Sequence, residues 1–144
     1  MDRFKLICAV HLFLIREGKI LLLRRANTGY EDGNYSVPAG HLDGNEPVTH
    51  ALVREAMEEA LITIQPQELS VIHTMHRIKN DGERVDFFLT TKHWEGEPRI
   101  GEPHKCDDLS WWPLEALPPN MVPYVRQALE CYQRQETYSE HGWV

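Results

Sequence analysis

Cysteine is scarce in this chain: Cys8, Cys106 and Cys131 are the only three, and no two form a C-x-x-C pair. An odd, scattered set excludes a disulfide framework and fits a reducing compartment, so the three are read as structural thiols. The eight histidines show no H-x-x-x-H or other zinc spacing. No G-x-S-x-G, Walker A or G-x-G-x-x-G signature is present, and no D-x-D-x-D-G calcium loop of the EF-hand kind. Internal repeats, low-complexity tracts and composition breaks are absent too. Positive charge is also in short supply. The formal net charge of −7 argues against a surface for nucleic-acid polymers. Nucleotides stay open, because a metal ion can carry the positive charge to their phosphates. The apolar run at residues 6–15 follows Arg3 and Lys5 as a signal h-region would. His11 interrupts it, no A-x-A-like cleavage site follows, and it is too short to span a bilayer. It is therefore expected to be a buried strand, with no membrane partner and a cytoplasmic location.

What is present fits one soluble domain over residues 1–144. At 26% charged and 42% apolar residues the composition is that of an ordinary globular protein, and a chain of this length can hide about 70% of its unfolded surface. Residues 5–15 and 19–24 are β-rich runs around Arg16-Glu17-Gly18, a hairpin signal. Residues 26–34 read as a loop, and Tyr35-Ser36-Val37 as a short strand before the Pro38-Ala39-Gly40 turn. Pro47 suits the first helical position, with Glu46 at the N-cap and the helix ending near Leu61. Two further strands, 69–79 and 84–94, flank a hairpin at residues 80–83. A long polar loop follows at 95–108, then a short strand at 109–113 and a helix at 121–136. The tail, 137–144, shows no pattern. The order implies an α/β (α+β) class, a mixed sheet with helices packed on it.

The chemistry concentrates between Gly40 and Ile62, around Arg54-Glu55-Ala56-Met57-Glu58-Glu59. Residues three and four apart share a helix face, so Glu55, Glu58 and Glu59 form one acidic cluster. Val53, Ala56, Met57 and Ala60 fall on roughly the opposite side. Like charges so placed cost a bare helix about 0.2–0.5 kcal/mol per pair. A hard divalent cation with oxygen ligands turns that cost into binding energy.

The spacing of Gly40, Glu46, Arg54, Glu55, Ala56, Glu58, Glu59 and Ile62 resembles the Nudix box. Leu61 stands where the family has glycine, which normally ends the helix in a left-handed conformation. A second likeness is Trp94-Glu95-Gly96-Glu97-Pro98 followed by Glu102, similar to the W-E-G-E-P run of MutT-like nucleoside triphosphate pyrophosphohydrolases. The resemblance implies the Nudix α/β/α sandwich with a mixed β-sheet. It also implies hydrolysis of a phosphoanhydride in a nucleoside diphosphate-X substrate, a nucleoside triphosphate giving monophosphate and pyrophosphate. The implied cofactor is Mg²⁺, with Mn²⁺ as a substitute, and a homodimer is compatible with the family. The implied metal set is Glu55, Glu58, Glu59, the Ala39 carbonyl and Glu102. Glu55 is ligand or base, and Glu102 is ligand or general base, with Glu95 and Glu97 as alternates. Arg54 positions Glu46 or Glu55 through a charge-assisted hydrogen bond.

On the substrate side, Arg25 matches the second arginine of a pair in the MutT-like group and is the phosphate-binding candidate. Arg84 is a weaker one. Tyr35, Phe87 and Phe88 are candidates for stacking on a base, with Trp94 a candidate for lining the same cleft, although aromatics on strands are more often core, which is the favoured reading. Asn120 resembles a base-reading asparagine of that group. Asp86 reads a base edge or faces solvent, with solvent favoured. His41 approaches the phosphates or is a plain loop residue. Rival readings are a nucleotide-sugar or dinucleoside-polyphosphate hydrolase, and a non-catalytic nucleotide sensor.

Overall fold

A computed structural model describes residues 2–80 and 82–144. Among the described residues, nine strands and two helices run in the order β1 Ile7–Phe13, β2 Ile15–Arg16, β3 Lys19–Arg25, β4 Tyr35–Ser36, β5 Ala39–His41, α1 Val48–Ala60, β6 Ser70–Lys79, β7 Gly82–Thr90, β8 Cys106–Pro113, α2 Pro123–Gln133 and β9 Tyr138–His141. A 3₁₀ turn, Pro66–Glu68, precedes β6. The main sheet is mixed, in the order β5-β1-β7-β6-β9. The pair β1/β7 is parallel, as is β6/β9; β1/β5 and β6/β7 are antiparallel. In the second sheet β3 pairs with β2, β4 and β8, each antiparallel.

The two faces of the main sheet follow from the period of two along each strand. Val10 and Leu12 of β1 and Leu89 of β7 pack with Ala51, Leu52, Ala56 and Ala60 of α1. Phe13, Met75 and Phe88 face the other way and pack with Val125, Ala128 and Leu129 of α2. This second face is polar at its other end, where His11, Arg77, Arg84 and Asp86 replace apolar residues, and there a cleft opens.

Several elements differ from the sequence reading. The run 5–15 divides at Leu14: its first part joins the main sheet and its last part turns with β3. Leu14 is fully buried and accepts the Leu21 N–H at 2.9 Å, which suits a junction between sheets better than a continuous ribbon. The Glu17-Gly18 turn has both φ angles positive, as a two-residue hairpin requires. In the next hairpin, Asp81 lies outside the described residues. Strand β8 starts at Cys106, inside the expected loop. The tail holds a strand after all: β9 pairs in parallel with β6 from Thr74↔Tyr138 to Arg77↔His141. Its residues, Tyr-Ser-Glu-His, carry no alternating apolar signal because it is an edge strand. Met57, expected on the apolar side of α1, is 43% exposed, since the buried stripe runs through Ala51, Leu52, Ala56 and Ala60.

Helix α1 is capped at both ends in ways that shape the cleft. Pro47, rather than Glu46, is the N-cap residue. Glu46 lies one position earlier and is taken by Arg54 instead. At the other end Leu61 adopts the left-handed conformation (φ 56°, ψ 36°) and donates its N–H to Met57 O at 3.1 Å. The helix thus ends as a glycine-capped one would, at a cost of about 1–2 kcal/mol for the Cβ. Loop 95–102 satisfies two further carbonyls: Arg99 N–H donates to Ala60 O and Gly101 N–H to Glu59 O, both at 3.0 Å. A Cβ on Gly101 would lie 2.0 Å from Glu58 O, so only glycine permits this approach. The loop therefore delivers Glu102 to the end of α1.

Candidate active site

Two opposed sets of charge line the cleft, which has a volume of about 620 Å³. One wall carries Glu55, Glu58 and Glu59 from α1, Glu102 from the following loop, and the backbone of Ala39 and Gly40 from β5. The lining also carries Arg25, Lys79 and Arg84, with Arg77 paired to Asp86 and Lys105 Nζ 3.8 Å from Glu102 Oε2.

Helix α1 packs on the face of the sheet that lies behind β5, yet its carboxylates reach the cleft. Gly40 explains how. It pairs with Val10, whose side chain is in the α1 core, and an added Cβ would sit 2.2 Å from Glu55 Cδ. The Glu55 carboxylate fills the space of the missing side chain at the sheet edge. Next to it, Ala39 N–H donates to Glu59 Oε2 at 3.0 Å. Arg54 then ties the wall together. Its Nη1 donates to Glu55 Oε1 at 2.7 Å and its Nη2 to Glu46 Oε1 at 2.5 Å, with Asp43 at 3.4 Å. The sequence left open which carboxylate Arg54 holds; it holds both.

Burial pushes the Glu59 carboxyl well above the usual carboxylate range, the charge of Glu55 adds to the shift, and the Ala39 N–H opposes it. Burial also raises Glu55, followed by the charge of Glu58, against the pull of Arg54. Buried like charges of this kind prefer to keep a proton or take up a cation. Among the described residues no three Asp, Glu, His or Cys side chains already close on one point as ligands. The donors are all hard oxygens on one wall, a set suited to an ion that keeps several of its own waters.

Arg25, also in the lining, is held by its loop: Nε donates to Tyr30 O at 2.7 Å and Nη2 to Thr28 Oγ1 at 3.1 Å. Asp32 orders that loop by accepting from Thr28 N, Gly29 N and Thr28 Oγ1. Arg84 Nη1 donates to His41 Nε2 at 3.3 Å, and both residues line the cleft.

Several of the candidate residues lie elsewhere in the structure. Tyr35 is 7% exposed and belongs to the α2 core, with its hydroxyl on Asp108 at 2.7 Å; it does not line the cleft. Asn120 donates to Gly33 O at 2.8 Å and so pins loop 26–34 instead of facing the cleft. Phe87 packs toward α1 and Phe88 is inside the α2 core, while Trp94 stacks on Trp111 elsewhere. Asp86 does not face solvent: it is fully buried and bidentate to Arg77, at 2.7 and 3.1 Å. Glu97, an alternate ligand, pairs with Arg16 at 2.9 Å, and Glu95 pairs through its backbone with Thr63.

Sequence reasoning missed the floor of the cleft. Arg77 guanidinium lies 3.6 Å from the Tyr124 ring centroid, and Tyr124 O–H meets His11 Nε2 at 2.9 Å. His11 Nδ1 lies 3.2 Å from Phe87 O. A carbonyl only accepts, so Nδ1 carries the proton. Burial holds His11 down to about 4, so it is neutral, Nε2 accepts, and Tyr124 O–H donates. The available signal was a histidine and an aspartate at inward positions of two apolar strands.

A family model described as the NUDIX domain matches residues 5–132. The chain belongs to the NUDIX family. It is 31% identical over 136 residues to phosphatase NudJ of Escherichia coli K12, covering 91% of this chain and 83% of that one. It is 28% identical over 123 residues to the 8-oxo-dGTP diphosphatase of the same organism, covering 84% and 94%. Among solved structures, a MutT NUDIX hydrolase from Burkholderia pseudomallei superposes with a TM-score of 0.80 at 29% identity, over 88% of this chain and 98% of that one. The protein is thus a Nudix hydrolase, and the α/β/α expectation holds for its two helices and two sheets. No helix among the described residues is long and apolar enough to cross a membrane.

Proposed function

We propose that this Nudix hydrolase cleaves a phosphoanhydride of a nucleoside diphosphate-X substrate with Mg²⁺, converting a nucleoside triphosphate to monophosphate and pyrophosphate. The observation that carries the reading is the gathering of Glu55, Glu58, Glu59 and Glu102 in one cleft that Arg25 and Arg84 also line. Glu58 and Glu59 are the principal metal ligands, joined by Glu102 and the Ala39 carbonyl. A divalent ion held by these oxygens would supply Lewis-acid polarisation of the phosphoryl group. Arg25 and Arg84 hold phosphate oxygens, for which guanidinium forks are suited. Glu55 accepts the proton of the attacking water. Arg54 fixes Glu55 in the gap left by Gly40. Water adds to phosphorus, the bridging oxygen leaves on pyrophosphate, and the proton stays on Glu55.

The test is pyrophosphate release from nucleoside triphosphates by wild type and Glu58→Gln, with and without Mg²⁺. Wild type should turn over only with the ion, and Glu58→Gln should be slower by about 10²–10³-fold. Turnover unaffected by the substitution would overturn the metal assignment. A panel including nucleotide sugars and dinucleoside polyphosphates then fixes the leaving group.

A further inference from the structure

Tyr30 draws together two cations that the sequence places far apart. Lys79 Nζ, at the end of β6, lies 3.9 Å from its ring centroid, and the Arg25 guanidinium, at the end of β3, lies 5.3 Å from it. All three residues line the cleft. A ring face attracts a cation without neutralising it, so both keep their charge.

The loop that carries Tyr30 is fixed for this contact. Thr28 Oγ1 donates to Asp32 Oδ1 at 2.6 Å, which leaves its lone pairs to accept from Arg25 Nη2 at 3.1 Å and Tyr30 N at 3.2 Å. Tyr30 O accepts from Arg25 Nε at 2.7 Å. Two nitrogens of Arg25 are thus held, and its Nη1 makes no hydrogen bond among the described residues. Asp32 serves the loop and does not line the cleft.

Arg84 brings a third cation. It pairs in register with Arg77, two residues before Lys79, so these side chains share one face of the sheet. Asp86 takes Arg77 by two hydrogen bonds, whereas Arg25 and Lys79 have no ion pair among the described residues. Burial raises the pKa of the Tyr30 hydroxyl, and the charges of Arg77, Arg25 and Arg84 oppose that rise, as expected where cations converge. Gathered cations repel one another, and an anion offsets that repulsion.

We propose that Arg25, Lys79 and Arg84, brought together around Tyr30, form a subsite for condensed phosphate that binds without help from the carboxylate wall, with Tyr30 as the positioning residue for Arg25 and Lys79. This rests on the phosphoanhydride reading above and adds the substrate class. A run of phosphates carries charge for three cations, so the favoured substrate has three phosphates rather than two.

The probes are inorganic phosphate, pyrophosphate and tripolyphosphate, titrated calorimetrically into the protein in metal-free buffer. Wild type is compared with Lys79→Met, Tyr30→Leu and Tyr30→Phe, and thermal melting verifies folding. Wild type should bind tripolyphosphate about tenfold or more tighter than pyrophosphate. Lys79→Met and Tyr30→Leu should each lose about tenfold in tripolyphosphate affinity, and Tyr30→Phe, which keeps the ring face, should bind like wild type. With Mg²⁺, the same two variants should raise KM for a nucleoside triphosphate and leave kcat nearly unchanged. No binding, equal binding of the three probes, or folded variants that bind as wild type does would overturn the subsite; turnover that still needs Mg²⁺ and Glu58 would leave the hydrolase reading intact. A Tyr30→Phe loss as large as that of Tyr30→Leu would overturn the positioning role of the ring. Tyr30-dependent tripolyphosphate binding in a protein without turnover would sustain the subsite and sink the catalytic reading.

Discussion

The carboxylate wall and the floor of the cleft are built on opposite plans. The wall takes most of its side chains from one helix, with Ala39 and Gly40 a few residues upstream and Glu102 brought in by a loop that caps the helix. The floor takes His11, Arg77, Asp86 and Tyr124 from three strands and a helix. Their electrostatics also run in opposite senses. Burial lifts the carboxyls of Glu55 and Glu59, whereas it holds His11 down to about 4. The wall keeps carboxyl groups of one sign crowded. The floor neutralises its charges internally.

Gly40→Ala is the sharpest way to break the wall without touching the floor. The new methyl would occupy the position of the Glu55 carboxyl, so Glu55 must move while the fold persists. A displacement of this size should lower kcat by about 10²-fold. Steady-state kinetics on a nucleoside triphosphate reads it; a fully active Gly40→Ala enzyme would show that Glu55 is not needed in that gap.

The opposite shifts predict opposite pH limbs. Glu59 is raised on folding, so its contribution to stability is present below the ordinary carboxylate range and is lost as pH rises through the raised value. His11 is lowered, so its contribution is full above about pH 6.5 and is lost as pH falls toward about 4, roughly 3 kcal/mol in all. Melting temperatures in EDTA across pH 4–8 should separate the two. Glu59→Gln should remove the loss toward high pH, and Mg²⁺ should restore wild type most where that loss is largest. His11→Gln should flatten the acid limb. An acid limb as steep as that of wild type would mean that other groups dominate it.

These contrasts also mark what could be read without a structure. The acidic wall was legible because its spacing is local: Glu55, Glu58 and Glu59 are brought together by helical geometry alone, and Arg54 is adjacent. The floor was not, because Arg77 and Asp86 meet only once β6 and β7 pair in register, with Arg77 opposite Arg84. The strand aromatics Tyr35, Phe87 and Phe88 take the core placement favoured for them, which packing decides.

The smallest expected effect tests the one departure from the box. Leu61 holds a left-handed conformation that glycine adopts freely, and its side chain is 37% exposed, so little burial is at stake. Leu61→Gly should stabilise the protein by about 1 kcal/mol, raising the melting temperature by a few degrees with activity unchanged. A lower melting temperature would show that the Leu61 side chain contributes more than its backbone costs.

By itself the sequence determined the acidic helix, its glycine and arginine partners, the family they signal and most of the strand and helix order. Those features depend on neighbours within a few turns of chain. Tertiary structure alone decided that residues 5–15 divide between two sheets, that the tail adds a strand at the edge, and that loop 95–102 caps α1 and carries Glu102 to it. It also decided the buried Arg77–Asp86 pair. A buried charge is tolerated only where its partner is held opposite, and which partner that is depends on strand register rather than on any local pattern.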